Sequence, residues 1–225
     1  MNVGVLLAAG ASRRMGTSKA LVRQGGHTFL ARGVRHLWSA CDAVVVVLGS
    51  QAPAIRTAVE DEFERMVRGG QLHRDLVNAH RHGATGLEAH FVVNRRWRQG
   101  MFSSVRAGLK AALAQRPEAV LVLPVDHPSI RPETVRVLAH AMREALGAYG
   151  ARRAARGRFA YALIPRYRGR RGHPIALSPG LAHAVAADAV AEDLSDAVRR
   201  NARLIGYLDC ADAGVVQNRN TPSRS

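Results

Sequence analysis

A glycine-bearing turn with two kinds of cation follows the first apolar run of the chain. Gly10 and Gly16 bracket the turn in GASRRMGTSK, and Arg14 and Lys19 lie within it and at its end. Glycine permits backbone conformations in which successive N–H groups converge on one anion, and both cations can bind phosphate oxygens. Lysine is otherwise rare, since the chain has 31 arginines and only Lys110 besides Lys19. The turn therefore indicates a phosphate site, with a solvated surface turn as the alternative.

A carboxylate comes just after a later apolar run. Asp126 follows AVLVLP (119–124), and Pro128 then ends the strand pattern and fixes the loop. Magnesium in nucleotide sites prefers one or two carboxylates together with phosphate oxygens and water. Asp126 is therefore a candidate Mg²⁺ ligand. The alternative is a cap for the helix predicted after it, for which Ser129 is closer in sequence.

Two further stretches carry groups that can bind a ribose or a phosphate. In NRRWRQGMFSSVRAGL, Gly100 opens a predicted helix, and Ser103 and Ser104 lie in its first turn, where N–H groups and hydroxyls can bind a ribose or a phosphate. In YRGRRGHPIAL, Gly172 and His173 follow arginines that can meet a phosphate. His173 suits proton transfer if its pKa is the ordinary value of about 6.5, although a histidine before a proline at the start of a strand also serves structure.

These groups require a sheet whose strands end at a common edge. Continuous apolar runs are typical of strands buried on both faces of a parallel sheet, and they occur at 3–8, 43–48, 89–93, 119–124, 159–164, 174–178 and 203–208. Helical patterns lie between them, at 27–40, 101–115, 132–147, 180–187 and 192–201. The alternation predicts an α/β fold with one Rossmann-like, three-layer domain and a mainly parallel sheet. In such a sheet the turn after the first strand is a frequent phosphate site.

Length and composition indicate one globular domain. The chain has 225 residues, of which 47% are hydrophobic, which is enough for a single core over 1–222 with a short tail at 223–225. Residues 69–88 are polar and glycine-bearing without a period, and we expect a surface loop insertion there. The first ten residues match neither a signal peptide nor a membrane span, so the expected location is the cytoplasm.

Metal and disulfide spacings are missing from the sequence. Cys41 and Cys210 are far apart and fit ordinary small apolar positions. Four histidines lie in or near the predicted loop without a partner at ligand spacing, and we expect them to be solvated: His73, His80, His82 and His90.

The formal net charge of +16 raises the question of nucleic-acid binding. Arginine and alanine are abundant along the whole chain and the charge forms no block, which favours a coding bias over a nucleic-acid surface. The same positive field would also favour a small polyanion such as a nucleotide.

Four motifs together resemble those of the MobA-like nucleotidyltransferases, and most of all the molybdenum cofactor cytidylyltransferases. LAAGASRRMGTSK resembles the pattern L-A-A-G-x-S-x-R-M-G-x-x-K, and LPVDHP resembles L-x-D-x-P. NRRWRQGMFSSVRAGL resembles N-P-x-W-x-x-G-M-x-x-S-L-x-x-G-L, with Arg95 in place of the proline. YRGRRGHP resembles Y-x-G-x-x-G-H/N-P. The resemblance covers most of the chain and has a gap at residues 69–88.

The resemblance implies an enzyme that takes a nucleoside triphosphate with Mg²⁺, attaches the nucleotide to a phosphorylated acceptor and releases pyrophosphate. It places the nucleotide on Leu7, Ala8, Ala9 and Gly10, the triphosphate on Arg14 and Lys19, and the metal on Asp126. In the family an LAAG loop accompanies CTP and an LAGG loop accompanies GTP, so Ala9 indicates CTP. The implied acceptor is molybdopterin or its molybdenum form, and a molybdoenzyme or a chaperone is a candidate recipient of the product.

The C-terminus departs from the family pattern. Asn218 and Asn220 stand where relatives carry acids, and no helical pattern follows them. An amide oxygen can ligate Mg²⁺, but without charge it should hold the ion less firmly. Two alternatives therefore stay open: transfer from GTP or to a sugar or alcohol phosphate, and a non-catalytic protein that binds a nucleotide or a nucleic acid. Neither the resemblance nor the composition points to a membrane partner.

Overall fold

The computed structural model of the chain describes residues 1–10, 18–70, 88–153 and 159–219. Its strands are β1 (Asn2–Ala8), β2 (Arg23–Gln24), β3 (His27–Thr28), β4 (Ala43–Leu48), β5 (Glu88–Val93), β6 (Ala119–Pro124), β7 (Tyr161–Tyr167), β8 (Arg170–Arg171), β9 (Ile175–Leu177) and β10 (Leu204–Asp209). Its α-helices are α1 (Phe29–Trp38), α2 (Ala52–Arg68), α3 (Met101–Ala114), α4 (Pro132–Arg153), α5 (Pro179–Ala187) and α6 (Leu194–Asn201).

One sheet forms the middle layer, in the order β5–β4–β1–β6–β9–β7–β10, with the short β8 paired to β7. The strand β1 runs parallel to both of its neighbours, so that Val5 lies beside Val45 of β4 on one side and Val122 of β6 on the other. The strand β9 runs antiparallel to β6 and β7. The strands β2 and β3 form a separate hairpin.

Helices cover both faces of this sheet and create two hydrophobic cores. Side chains of α1, α2 and α4 pack on one face, where Leu30, Ile55 and Leu138 are fully buried. Side chains of α3, α5 and α6 pack on the other face, where Leu109 and Leu181 are fully buried. The domain therefore has three layers, α/β/α, which bury the continuous apolar runs from both sides.

Strand position in the sheet explains the sequence pattern of each strand. Every residue of β1, β4 and β6 is buried, which matches their unbroken apolar runs. The edge strand β10 has only exposed and partly covered residues, and its sequence LIGYLD is correspondingly mixed. Central strands are covered by helices on both faces, whereas an edge strand keeps solvent on one side.

The predicted fold class is confirmed, and the strands and helices lie close to the predicted runs. The runs at 43–48 and 119–124 coincide with β4 and β6, and the helix predicted at 132–147 continues to Arg153. Of the predicted loop insertion, only residues 69–70 and 88 lie within the described part of the chain, and Glu88 begins β5. None of the described helices has the length and apolar character needed to cross a membrane.

Three features were not predicted from the sequence. Helix α2 was not predicted, although Ile55, Val59 and Met66 have helical spacing, because they lie in a segment rich in charged residues, APAIRTAVEDEFERMVR. The β2–β3 hairpin is only two residues per strand and has no apolar run. The reversed direction of β9 depends on which strands flank it, and strand direction leaves no mark on a short apolar run such as Ile175–Leu177.

Candidate active site

The sheet has a topological switch point between β1 and β6. The chain proceeds from β1 to β4 and β5 on one side, whereas β6 adds to the other side of β1. The end of β1 carries Leu7, Ala8, Ala9 and Gly10, of which the first three are buried and Gly10 is exposed. Crevices outside the carboxyl ends of strands at such a point are the usual ligand sites of open α/β sheets.

Lys19 and Asp126 meet at this switch point although 107 residues separate them. The Lys19 Nζ lies 3.4 Å from Oδ2 of Asp126, and the two side chains are 25% and 15% exposed. A direct charge-assisted hydrogen bond is about 2.7–2.9 Å long, so the contact between Lys19 and Asp126 is longer than the usual distance for such a bond. Both can therefore reach a ligand that enters the crevice.

Local packing explains why these two groups converge. Lys19 begins a short 3₁₀ helix, Lys19–Leu21, whose Ala20 is only 1% exposed. The main chain then returns to α1, because the Phe29 N–H donates to the carbonyl of Val22. On the other side, the Val125 N–H donates to the carbonyl of Leu7 and extends the β6–β1 ladder up to Asp126.

Two histidines lie beside Asp126. Nε2 of His127 is 3.9 Å from Oδ1 of Asp126, and the imidazoles of His127 and His173 meet edge to face with centroids 4.9 Å apart. Burial lowers the pKa of His127, while the Asp126 charge acts in the opposite direction. Burial also lowers the pKa of His173, to about 3, and the nearby His127 lowers it further. Both rings are thus neutral near pH 7, which disfavours His173 as a proton carrier and favours a structural role.

The turn that carries His173 is tied to the C-terminal segment. The N–H of His173 donates to the carbonyl of Val215, and the N–H of Gly172 donates to that of Pro165. A Cβ on Gly172 would collide with the backbone of Val215, so the close approach requires glycine. The peptide between His173 and Pro174 is cis. The hydrogen bond from His173 to Val215 and the close approach of Gly172 fix the position of the turn that carries the His173 ring.

The start of α3 uses its serines internally. Gly100 adopts a φ of +99°, which favours glycine, directly before the helix. The Asn94 Nδ2 donates to Oγ of Ser103 and to Oγ of Ser104, both at 2.9 Å. Ser104 is only 3% exposed, so its hydroxyl is enclosed by this turn. Nucleotide binding by Gly100, Ser103 and Ser104 stays a prediction.

The C-terminal segment contacts the main chain of Asp126. The Arg219 N–H donates to the carbonyl oxygen of Asp126 at 2.7 Å. Asn218 is exposed and lies one residue from this contact. Asn220 and Arg14 lie outside the described residues. The structure thus brings the main chain next to Asn218 to the main chain of Asp126, and metal binding by either asparagine stays a prediction.

Asp212 was missed by the sequence analysis. It is 4% exposed and accepts hydrogen bonds from the Arg131 N–H, the Thr134 hydroxyl and the Gly214 N–H, at 2.8, 2.8 and 2.9 Å. It thereby joins the C-terminal segment to the start of α4, on the far side of the loop that holds Asp126. The glycine two residues after Asp212 was a usable signal for such an Asx turn.

A cavity of about 270 Å³ opens beside the switch point on the β6–β7 side. Its apolar wall includes Leu7, Phe102 and Ile164, and its polar groups include Arg171 and His173. The mixed lining suits a small organic molecule, and the volume is slightly below the usual range of small-molecule sites, about 300–1,000 Å³. A larger cavity, of about 480 Å³, lies at the opposite edge of the sheet next to the first residues of β1 and contains none of these groups.

The donor set at the switch point fits a hard divalent cation. Asp126 offers carboxylate oxygens, and no cluster of three or more histidine, cysteine or acidic side chains exists within the described ranges. One carboxylate suits Mg²⁺ that completes its shell with phosphate oxygens and water, and it does not suit a protein-enclosed transition metal. The side chain of His90 is exposed, and His73, His80 and His82 lie outside the described residues.

Comparison with known proteins places these features in one family. A family model described as "MobA-like NTP transferase domain" matches residues 4–205. The chain is 31% identical to nicotine blue oxidoreductase of Paenarthrobacter nicotinovorans, over 97% of this chain and 91% of that protein. It is 32% identical to a probable molybdenum cofactor guanylyltransferase of Opitutus terrae, over 64% of this chain and 57% of the relative.

A solved structure shows the same fold. A nucleotidyl transferase from Methanothermobacter matches with a TM-score of 0.65 and 19% identity, over 98% of this chain and 92% of that chain. With the family match over residues 4–205, the chain belongs to the MobA-like NTP transferase domain family.

Proposed function

We propose that the protein transfers a nucleotidyl group from a nucleoside triphosphate to a phosphorylated acceptor and releases pyrophosphate. The observation that carries the proposal is the meeting of Lys19 and Asp126, 3.4 Å apart, at the switch point between β1 and β6. A cation for the triphosphate and a carboxylate for a metal ion are the two groups that phosphoryl chemistry requires at one place. Membership of the MobA-like family supports the same reaction class.

The proposed step is an in-line displacement. An oxygen of the acceptor phosphate forms a bond to the α-phosphorus, the bond between that phosphorus and the oxygen bridging to the β-phosphorus breaks, and pyrophosphate leaves with the electron pair. An acceptor phosphate is already ionised near neutral pH, so the step needs no strong general base. This fits the neutral state of His173, whose pKa is lowered to about 3 by burial.

The chain's own residues position and neutralise the charge. Lys19 would bind the triphosphate together with Arg14, and the end of β1, from Leu7 to Gly10, would bind the nucleotide. Asp126 would hold Mg²⁺ with Asn218 or Asn220. When bound, the ion supplies positive charge to the phosphate oxygens and lowers the repulsion between the two reacting phosphates.

We propose CTP as the donor and molybdopterin as the acceptor. CTP rests on Ala9, the second alanine of the LAAG loop, which is 5% exposed at the end of β1. The relative from Opitutus terrae is named as a guanylyltransferase, so GTP is the competing donor in every assay. The cavity beside His173 and Arg171 is the proposed acceptor site, because it adjoins the switch point and Arg171 can meet the acceptor phosphate; its lining also includes the carboxylate of Asp193.

Pyrophosphate release tests the proposal directly. The purified protein would be incubated with Mg²⁺ and each nucleoside triphosphate, with and without molybdopterin, and released pyrophosphate would be measured. We expect acceptor-dependent release with CTP, strongly reduced in Asp126→Asn and retained in Lys110→Ala, since Lys110 is an exposed lysine on α3. If GTP is the one nucleoside triphosphate that supports turnover, the donor is GTP and not CTP. If no acceptor supports turnover and the protein binds DNA or RNA in a salt-sensitive way, the protein is a binding protein and the proposed enzymatic function is wrong.

A redox activity is the second candidate. The relative that matches over 97% of this chain is named as an oxidoreductase, and the cavity wall formed by Phe102 and Ile164 suits a flat aromatic acceptor. A reduced nicotinamide dinucleotide would bind through its diphosphate and pass a hydride to the acceptor, which then takes a proton from water. Loss of absorbance of the reduced nicotinamide in the presence of an aromatic dye would support this activity.

A further inference from the structure

A buried glutamate on α2 lies outside the candidate active site. Glu62 is only 3% exposed, although the side chain of a glutamate is rarely buried unless it is paired. It lines a cavity of about 180 Å³ together with Arg23 and His27 of the β2–β3 hairpin. The contacts of the Glu62 carboxylate explain why it is buried there.

Three residues of the β2–β3 hairpin converge on this carboxylate. The Thr28 N–H donates to Oε1 of Glu62 at 3.0 Å, and Nδ1 of His27 lies 3.3 Å from the same oxygen. Nη2 of Arg23 lies 3.9 Å from Oε2. Arg23 also donates to the carbonyl of Gly26 at 2.7 Å, within the turn of the hairpin. Glu62 therefore contacts both strands of a hairpin that has two residues per strand, and an isolated hairpin of this kind is at best marginally stable in water.

The hairpin in turn holds the segment that carries Lys19. The short 3₁₀ helix that begins at Lys19 leads directly into β2. The carbonyl of Val22 accepts from the Phe29 N–H at 2.8 Å, across the base of the hairpin. The hydroxyl of Thr28 accepts from the Ala31 N–H and caps α1. The main chain at Lys19 is therefore fixed in part by the docking of the hairpin on α2.

We propose that Glu62 is a positioning residue for Lys19, which acts through the β2–β3 hairpin and not through contact with a substrate. This role rests on the proposed function, in which Lys19 binds the triphosphate. The two strands of the hairpin contain no apolar residue, so the buried carboxylate supplies the anchor that apolar contacts supply elsewhere. An amide in its place keeps the size of the side chain but removes the charge that faces Arg23 and His27. The Lys19 ammonium would then spend less time opposite Asp126, where the triphosphate is proposed to bind.

A double-mutant cycle in nucleotide binding tests this role. Calorimetric titration with CTP, and separately with GTP, in Mg²⁺ would compare the wild type, Glu62→Gln, Lys19→Ala and the double variant. Glu64→Gln is the matched control, because Glu64 is an exposed glutamate on the same helix and pairs with Arg68. Arg23→Gln changes the other side of the anchor at a side chain that is 54% exposed, and it leaves the buried carboxylate in place. Melting temperatures would show whether each variant is folded.

We expect Glu62→Gln to weaken nucleotide binding at least about fivefold when Lys19 is present and less than about twofold in the Lys19→Ala background. The Glu64→Gln control should stay within about twofold of the wild type. Equal weakening in the two backgrounds would overturn the positioning role, because a purely structural loss does not depend on the side chain at position 19. Unchanged affinity in Glu62→Gln would also overturn it. If Glu62→Gln does not fold, the same cycle with Arg23→Gln decides by the same criteria.

The role of Glu62 and the proposed function fail in different ways. If the wild type binds neither CTP nor GTP, the proposed function is wrong and the role of Glu62 is wrong with it. If the wild type binds a nucleotide and releases pyrophosphate with an acceptor, but the cycle shows no coupling between Glu62 and Lys19, the role of Glu62 alone is wrong.

Discussion

Replacement of Lys19 by alanine tests whether this lysine binds a ligand or contributes only to packing. The Lys19–Asp126 pair is 3.4 Å long and partly exposed, and such pairs contribute about 0–1 kcal/mol to stability. Its loss should lower the melting temperature by only a few degrees, since about 1 kcal/mol corresponds to roughly 2–4 °C in a chain of this size. The same ammonium against a triphosphate is a charge-assisted contact of about 1.5–3 kcal/mol. We therefore expect kcat/KM to fall about 10- to 150-fold.

Initial rates of pyrophosphate release over a range of CTP concentrations, with Mg²⁺ and saturating acceptor, would measure this ratio. Lys110→Ala is the matched control because it removes the other lysine of the chain from an exposed position on α3. Lys19→Arg should retain part of the activity, since charge remains while the compact ammonium is lost. Unchanged kcat/KM in Lys19→Ala, or a large loss of stability with normal turnover, would refute the assignment and make Lys19 a packing residue.

Three further changes probe the surroundings of the crevice. Gly172→Ala would force a Cβ against the backbone of Val215, and urea denaturation should show a loss of about 1–3 kcal/mol; unchanged stability would contradict the close approach. Asp212→Ala removes the acceptor of three hydrogen bonds and should destabilise by about 1–3 kcal/mol, whereas a neutral result would mean that the C-terminal segment is not anchored there. Burial lowers the pKa of His173 to about 3, so the folded protein keeps this ring neutral. The contribution of the neutral ring to the free energy of unfolding is therefore complete above the pKa of the unfolded chain and is lost as the pH falls. Between pH 7 and 5 the wild type should lose up to about 2 kcal/mol more than His173→Gln, and equal losses in the two proteins would show that the ring is not buried as described.

Some residues of the candidate site could be predicted from the sequence, and others could not. Asp126 was identified because a carboxylate directly after a buried strand must lie at the carboxyl edge of the sheet. Lys19 was identified by its rarity and its place in a glycine turn. Asp212 was not identified, because its partners Arg131 and Thr134 are about 80 positions away and the glycine two residues after it indicates the local Asx turn alone. The buried state of Ser104 likewise depends on Asn94, ten residues earlier in another turn.

The sequence by itself determined the α/β class and most strands and helices, and it predicted Lys19 and Asp126 as candidate groups, because these depend on local apolar runs and on residue type. Tertiary structure alone decided that Lys19 and Asp126 stand 3.4 Å apart and that β9 runs antiparallel. The physical reason is range: periodicity and turn chemistry act over a few residues, whereas strand order, helix docking and electrostatic clustering join segments that only packing brings together.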